Sequence, residues 1–138
     1  MSINLTLKQS AATTMKLIND VEVIVDRPVA KGGGGTGLMG GQYLLVGIAG
    51  CFCSTLFAAA EARGIEIRDL EVEIEASLSG DLPKRFDAIK LKVKQGYCSH
   101  PSEFTKILKI AEQGCLSINT IKKGMDLSIM QHPQKHGL

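Results

Sequence analysis

The segment at residues 41–63 constrains the fold of this chain more than any other part of the sequence. No charged side chain occurs between Lys31 and Glu61, and apolar side chains would lie all around the helix that this segment predicts. At 1.5 Å per residue such a helix is roughly 30 Å long, about the width of a small domain. Because a surface helix has only one apolar face, we expect this helix to be buried on most sides.

Length and composition predict one cytoplasmic domain. The 138 residues are enough to bury a core without a disulfide or a metal ion. The net charge of +2, the low aromatic content and the absence of Trp do not favour nucleic-acid binding. The opening residues show no basic region followed by an apolar core, so a secretory signal is not expected. The four cysteines are therefore expected to be reduced thiols in the cytoplasm.

A membrane span is an alternative interpretation of the central segment. Residues 43–60 have the minimum length for a span. Small and polar residues dilute their hydrophobicity, however, and neither Trp nor a basic cluster flanks them. Because amphipathic strands typical of soluble domains are predicted afterwards, we favour a core helix and expect no membrane contact.

The glycine-rich segment at residues 32–41 contains a GxGxxG pattern over residues 35–40. In dinucleotide-binding folds this pattern directly follows a strand and opens a parallel βαβ unit. Here the last predicted strand ends well upstream and the following strands are predicted to be antiparallel, so nucleotide binding is not favoured. The Lys-Ser/Thr pair of a P-loop is also missing from the sequence.

Three short strands are predicted before the central helix. Residues 3–7 alternate apolar and polar side chains, which is typical of a half-buried strand. Residues 15–18 and 21–25 predict two more strands, separated by the turn pair Asn19-Asp20.

A charged hairpin is predicted after the central helix, which Gly64 caps. Residues 71–78 alternate Glu with apolar side chains, and residues 89–94 alternate apolar side chains with Lys. Folding the chain about Leu82-Pro83 predicts a ladder of opposite charges on the exposed face and an apolar face turned to the helix. The facing pairs are Glu71 and Lys94, Glu73 and Lys92, and Glu75 and Lys90.

Two shorter helices are predicted in the C-terminal third. Pro101 suits the first turn of the second helix, and Gly114 ends it. Cys115 then opens a third helix over residues 116–123, which Gly124 caps. The buried stripe of the second helix is expected at Phe104, Ile107, Leu108 and Ala111.

A last strand is predicted at Leu127 and Ile129, and residues 131–138 form a polar tail. His132 and His136 in this tail are two potential metal ligands. Because a metal site needs at least three convergent ligands, no metal site is expected here.

The cysteines differ in what their positions predict. Cys51 and Cys53 point about 200° apart on a helix, so they cannot pair or bind one metal ion. For Cys53 and Cys98 we favour inert packing as small apolar side chains. Cys115 lies at a helix N-terminus, where backbone amides lower the pKa of a thiol. A thiol there and one in the central helix could form a redox pair.

Three groups of residues carry a resemblance to a known family. They are Val25-Asp26-Arg27-Pro28 with Gly32-Gly33, residues 42–51 ending in Cys51, and Ala111-Glu-Gln-Gly-Cys115 with Asn119-Thr-Ile and Gly124. The separation of 64 residues between the two cysteines also fits. From about residue 15 to 130 the chain resembles the osmotically inducible protein C and organic hydroperoxide resistance family (OsmC/Ohr), in its OsmC-like branch.

The resemblance implies an α+β fold in which antiparallel sheets wrap around a long central helix, within an intertwined homodimer. Residues 1–130 would form a single OsmC-like domain. It also implies a thiol peroxidase for organic hydroperoxides that needs no cofactor. Cys51 would be the attacking thiolate and Cys115 the resolving thiol, with Arg27 as the candidate for the catalytic Arg. A small lipoyl-like dithiol would be the reductant.

The chain also departs from the family's pattern. Gly40 and Gly41 stand where the family's peroxidases carry Pro-Glu, so the carboxylate that orients the catalytic Arg is missing, and Leu116 stands where the family usually has Pro. This departure supports an alternative function: an OsmC-like dimer that acts as a redox sensor or small-molecule-binding protein with little peroxidase activity.

Overall fold

The computed structural model of the protein describes residues 2–18 and 21–132. The turn predicted at Asn19-Asp20 and the potential ligand His136 lie outside these residues. The strands are β1 (Leu7–Ala11), β2 (Thr14–Leu17), β3 (Ile24–Val25), β4 (Ile67–Arg68), β5 (Glu71–Leu78), β6 (Phe86–Lys94) and β7 (Tyr97–Cys98). The α-helices are α1 (Gly40–Glu61), α2 (Phe104–Gly114) and α3 (Leu116–Lys123).

The predicted central helix is α1, and local contacts define both of its ends. At its start the Gln42 side chain accepts a hydrogen bond from the Met39 N–H at 2.9 Å. At its end Gly64 adopts a φ of +65°, which glycine tolerates without strain. The Ile65 N–H then donates to the Ala60 carbonyl at 2.9 Å, in a Schellman-type closure. The predicted cap at Gly64 is confirmed.

Only one face of α1 is buried within a single chain. The buried residues recur at helical spacing and are Ile48, Phe52, Leu56, Ala59 and Ala60. On the remaining surface of the helix Leu44, Val46 and Phe57 are 50%, 53% and 43% exposed. The expectation of burial on most sides is therefore wrong for the isolated chain, because α2, α3 and β5 cover only one side of the helix.

The core forms where α1 meets α2. Three residues of α2, namely Phe104, Ile107 and Ala111, are buried against it, as their spacing predicted. Leu108 is only partly buried. The helix is preceded by a 3₁₀ turn at Pro101–Glu103, which agrees with the predicted place of Pro101 in the first turn.

Strands β5 and β6 form the predicted hairpin in the predicted register. Glu71, Glu73 and Glu75 face Lys94, Lys92 and Lys90. Lys92 lies 3.0 Å from the Glu75 carboxylate and 4.0 Å from that of Glu73, and all three side chains are more than half exposed. Leu91 and Val93, on the other face, pack against the core. The charge ladder is therefore a solvated surface and not a metal site.

The N-terminal strands differ in extent from their predictions. They form an antiparallel sheet in the order β1-β2-β3. Strand β1 begins only at Leu7 and is exposed throughout, although residues 3–7 were expected to be half buried. The third strand is limited to Ile24–Val25. An alternating pattern predicts a strand with one apolar face, but none of the residues that the structure describes covers that face.

Two further differences concern short segments. Strands β4 and β7, of two residues each, pair with each other and have too little pattern to be predicted. The last predicted strand is wrong for the single chain, since Leu127 and Ile129 are 80% and 95% exposed in an extended segment without a partner strand among the described residues. Over residues 2–18 and 21–132 no three His, Cys, Asp or Glu side chains converge as metal ligands.

Helix α1 is long and apolar enough to cross a membrane, with a mean hydropathy of 1.9. Length and composition alone do not distinguish such a span from the central helix of a soluble domain. Its packing against α2, α3 and β5 is that of a central helix.

A candidate active site at the contact of two cysteines

The sulfur atoms of Cys51 and Cys115 meet in the interior of the fold. The Cys115 S–H donates to the Cys51 sulfur across 3.5 Å. Cys51 lies midway along α1 and is half buried, whereas Cys115 is completely buried. A disulfide bond is about 2.05 Å long, so the two sulfurs need to approach by only roughly 1.5 Å to form one.

The α2–α3 junction directs Cys115 towards α1. Helix α2 ends at Gly114, and Cys115 has an extended backbone (φ −77°, ψ 117°) that ends one helix and caps the next. Asn119 closes the junction: its N–H donates to the Cys115 carbonyl and its side-chain amide to the Gln113 carbonyl, both at 3.0 Å. In the sequence Asn119 was only part of the motif that resembles the family. The structure shows that it joins the end of α2 to the start of α3.

The two thiols have opposite tendencies to ionise. Hydrogen bonds from the Ser117 hydroxyl and N–H, and from the Cys115 S–H and Leu116 N–H, lower the pKa of Cys51 below its ordinary value, against the effect of burial. Burial first, and then the nearby Cys51 sulfur, raise the pKa of Cys115. The arrangement therefore favours a thiolate at Cys51 and a neutral thiol at Cys115.

The raised pKa of Cys115 contradicts the prediction made from the sequence. Its place at the start of α3 led us to expect a lowered pKa. The amides of Ser117 and Ile118 do act in that direction, but the burial of the thiol outweighs them. The helix N-terminus instead serves the neighbouring sulfur of Cys51.

The other two cysteines lie apart from this contact. Burial raises the pKa of Cys53, which disfavours its thiolate. Cys98 is 5% exposed within the core cluster. Both positions agree with packing as small apolar side chains.

Arg27 is not brought to the cysteine pair within one chain. It is exposed, in the loop between β3 and α1. Its guanidinium makes no hydrogen bond or ion pair with any residue whose position the structure gives. Its catalytic role therefore stays a prediction.

Asp26, next to Arg27, organises the glycine-rich loop. Asp26 is only 2% exposed. Its carboxylate accepts hydrogen bonds from three hydroxyl groups, those of Thr13 (2.9 Å), Thr14 (3.2 Å) and Thr36 (2.6 Å). It also accepts from three backbone N–H groups, those of Arg27 (2.7 Å), Gly34 (3.3 Å) and Thr36 (3.2 Å). These bonds, led by that of the Thr36 hydroxyl, hold the pKa of Asp26 well below its usual range. The sequence showed an Asp close to a loop of Gly and Thr, but it did not show their contact.

The same loop explains why the GxGxxG pattern is not a phosphate cradle. At Gly37 a Cβ atom would lie 2.0 Å from the Ile24 carbonyl oxygen, so the close approach of the backbone requires glycine. The loop amides of Gly34 and Thr36 are already occupied by the Asp26 carboxylate. The Asp26 carboxylate thus takes the amide hydrogen bonds that a bound phosphate would need.

An apolar pocket of about 480 Å³ lies between α1, β6, α2 and α3. Phe52, adjacent to Cys51, and Ile118, in the first turn of α3, both line it. Lys109 and Lys122 are also among its lining residues. The pocket is large enough for a small apolar molecule beside the helices that carry the two thiols.

A family comparison settles what this fold is. The family model for OsmC-like protein matches residues 32–130. The chain belongs to the OsmC-like family. The match includes both cysteines of the contact, whereas Arg27 and Asp26 precede it. A comparison with curated protein sequences gives no significant match.

Solved structures of several bacterial proteins share the OsmC-like fold. The OsmC like protein from Mycoplasma pneumoniae superposes with a TM-score of 0.71 at 21% identity, over 88% of each chain. The organic hydroperoxide resistance protein OhrB of Bacillus subtilis gives 0.62 at 23% identity, over 87% of this chain and 90% of the other. An organic hydroperoxide resistance protein OsmC from Legionella pneumophila gives 0.57 at 20% identity, over 87% and 90%. At these identities the likeness shows the fold: α+β, with antiparallel sheets and a long helix.

Proposed function

We propose that this OsmC-like protein is a thiol peroxidase that reduces organic hydroperoxides. The observation that carries the proposal is the 3.5 Å contact between a sulfur that favours the thiolate, Cys51, and a buried neutral thiol, Cys115. Thiolate character is what makes a cysteine nucleophilic towards peroxides. The names of the B. subtilis and L. pneumophila proteins, which refer to organic hydroperoxide resistance, support the same substrate class.

The proposed cycle has three steps. The Cys51 thiolate attacks the distal peroxide oxygen, the O–O bond breaks, and the leaving alkoxide takes a proton to become an alcohol. The Cys115 thiol then attacks the sulfenic acid at Cys51, so that a disulfide forms and water leaves. A small lipoyl-like dithiol reduces this disulfide by exchange, which returns two thiols and leaves the reductant as a cyclic disulfide.

We further propose that the protein acts as a homodimer in the cytoplasm. The exposed apolar residues Leu44, Val46 and Phe57 form the side of α1 that one chain leaves uncovered. Apolar side chains of this size on a central helix are typical of an interface between copies. Arg27 is exposed and forms no ion pair among the described residues of its own chain. In a dimer, Arg27 of one copy could reach the cysteine pair of the other.

The proposal is tested by hydroperoxide consumption with a matched pair of variants. Reduced protein should consume cumene hydroperoxide with dihydrolipoamide as the reductant, and Cys51→Ser should lower the rate at least 100-fold. Cys53→Ser, two residues along the same helix, should leave the rate unchanged. Cys115→Ser should still form one equivalent of alcohol but fail to form the disulfide. Equal turnover by Cys51→Ser and wild type would refute the proposal.

The alternative of a sensor or binding protein is not favoured. No observation on the described residues points to a sensing role, and the names of the B. subtilis and L. pneumophila proteins refer to organic hydroperoxide resistance.

A further inference from the structure

The last turn of α2 approaches α1 through small residues. Ala111 is completely buried, in the same core cluster as Phe52 and Leu56 of α1. Gly114 then ends the helix, and a Cβ atom on it would lie 3.5 Å from the methyl carbon of Thr55. Such a distance is an ordinary contact between carbon atoms, so a methyl group fits at position 114, whereas a larger side chain pointing the same way would overlap Thr55. The distance between packed helices depends on the side chains at their contact, and small residues here bring α2 close to α1.

Thr55 lies on the turn of α1 that follows Cys51 and is joined to it. The Thr55 hydroxyl donates to the Cys51 carbonyl at 2.8 Å. A helical threonine has two favoured side-chain conformations, and a bond of this kind selects between them. In the selected conformation the methyl group is the part of Thr55 that a Cβ atom on Gly114 would meet. The surface that faces Gly114 therefore belongs to the same segment as the Cys51 sulfur.

Cys115 follows Gly114 directly, and hydrogen bonds of the α2–α3 junction hold the two residues as one unit. Asn119 donates to the Cys115 and Gln113 carbonyls, both at 3.0 Å. A shift of Gly114 away from α1 would therefore carry Cys115 with it and lengthen the 3.5 Å contact between the sulfurs. Gly114 is helical and is not among the glycines with a positive φ, so the position requires small size and not backbone freedom.

We propose, resting on the peroxidase function proposed above, that Gly114 and Thr55 are positioning residues, which set the distance between the two sulfurs for disulfide formation. In that step the Cys115 sulfur bonds to the sulfur of the Cys51 sulfenic acid, the S–O bond breaks, and the hydroxide leaves with the thiol proton as water. The sulfurs must approach from 3.5 Å to about 2.05 Å, and a misplacement of about 1 Å can slow such a step by about 100-fold. Formation of the sulfenic acid needs no bond to Cys115, so its rate should change much less.

A single turnover separates the two steps. Reduced protein receives one equivalent of cumene hydroperoxide. The alcohol reports the first step, and dimedone trapping with mass spectrometry reports how long the sulfenic acid survives. Gly114→Val adds two methyl groups to the Cβ atom and should slow disulfide formation at least about tenfold, with alcohol formation within about threefold of the wild-type rate. Gly114→Ala, whose methyl group fits, should lose far less, and Gly114→Thr, of the same branched shape as Val, should behave like Gly114→Val.

Removal of the Thr55 methyl group should reverse the effect. Thr55→Ser keeps the hydroxyl that donates to the Cys51 carbonyl, and in Gly114→Val it should restore most of the rate of disulfide formation. Thr120→Ser is the matched control, because the Thr120 hydroxyl makes the same kind of bond on α3, to the Leu116 carbonyl at 2.8 Å. Disulfide formation at the wild-type rate in Gly114→Val, or a recovery with Thr55→Ser no greater than that with Thr120→Ser, would overturn the inference.

The equilibrium between dithiol and disulfide measures the same spacing without any hydroperoxide. In glutathione buffers, a disulfide that is tenfold less favourable has a reduction potential about 30 mV higher. Gly114→Val should show a rise of at least this size and Gly114→Ala a smaller one. If the rise appears but the wild type consumes no hydroperoxide, the positioning role is supported and the peroxidase function is refuted. If the wild type is active but neither the potential nor the rate of disulfide formation responds to Gly114→Val, the positioning role alone is refuted.

Discussion

Oxidation of the cysteine pair should stabilise the protein by an amount that follows from its geometry. A bond between Cys51 and Cys115 closes a loop between residues 64 positions apart. In the chain-entropy description such a cross-link raises the free energy of unfolding by roughly 4 kcal/mol relative to the reduced chain. Because the sulfurs start only 3.5 Å apart, little strain should offset this gain.

Thermal and urea unfolding of the oxidised and reduced forms would measure the effect. For a domain of this size roughly 4 kcal/mol corresponds to a rise in Tm of about 12–20 °C. Protein concentration must be the same in both samples, since association would also shift the midpoint. Cys53→Ser should keep the full difference, and Cys115→Ser should abolish it. Equal midpoints for the oxidised and reduced wild type, or a disulfide mapped between Cys51 and Cys53, would refute the reasoning.

Three further predictions concern the core, the loop and the exposed side of α1. Leu56→Ala removes a completely buried side chain and should cost about 2–5 kcal/mol of unfolding free energy in urea, whereas Leu82→Ala, 88% exposed, should cost less than about 0.5. The pKa of Asp26 is lowered in the folded state, so its stabilising effect is complete above the unfolded value of about 4 and is lost as the pH falls further. Asp26→Asn should therefore lower Tm at pH 7 and flatten its decline below pH 4; an unaltered pH profile would contradict this role. Phe57→Glu should change the mass in light scattering from twice 14.8 kDa to 14.8 kDa; a monomeric wild type would contradict the proposed dimer.

Much of the local structure was predictable because short-range patterns specify it. The alternation of Glu and Lys with apolar residues defined the hairpin register, since a shift by one residue would have turned its apolar face to water. Gly64 and Gly124 marked helix ends because both adopt a positive φ there. The stripe of Phe104, Ile107 and Ala111 identified the buried face of α2.

The less accurate predictions involve surfaces that the sequence alone cannot pair. An apolar pattern all around α1 indicates that something covers it, but not whether the cover comes from the same chain. Residues 3–7 and the segment at Leu127 and Ile129 have strand-like alternation. Within the described part of the single chain, however, pairing begins only at Thr6 and Leu7, and Leu127 and Ile129 find no partner strand. A strand requires a neighbour for its backbone hydrogen bonds, and the identity of that neighbour is a property of the assembled fold.

The sequence by itself determined the helices, the charged hairpin and the presence of two cysteines at a spacing that fits a known family. Only the tertiary structure decided that the two sulfurs touch, that the pKa of Cys51 is lowered and that the pKa of Cys115 is raised. The physical reason is that a pKa depends on burial and on donors close in space. The Cys115 sulfur lies 3.5 Å from a sulfur 64 positions earlier in the chain, a proximity that no local pattern encodes.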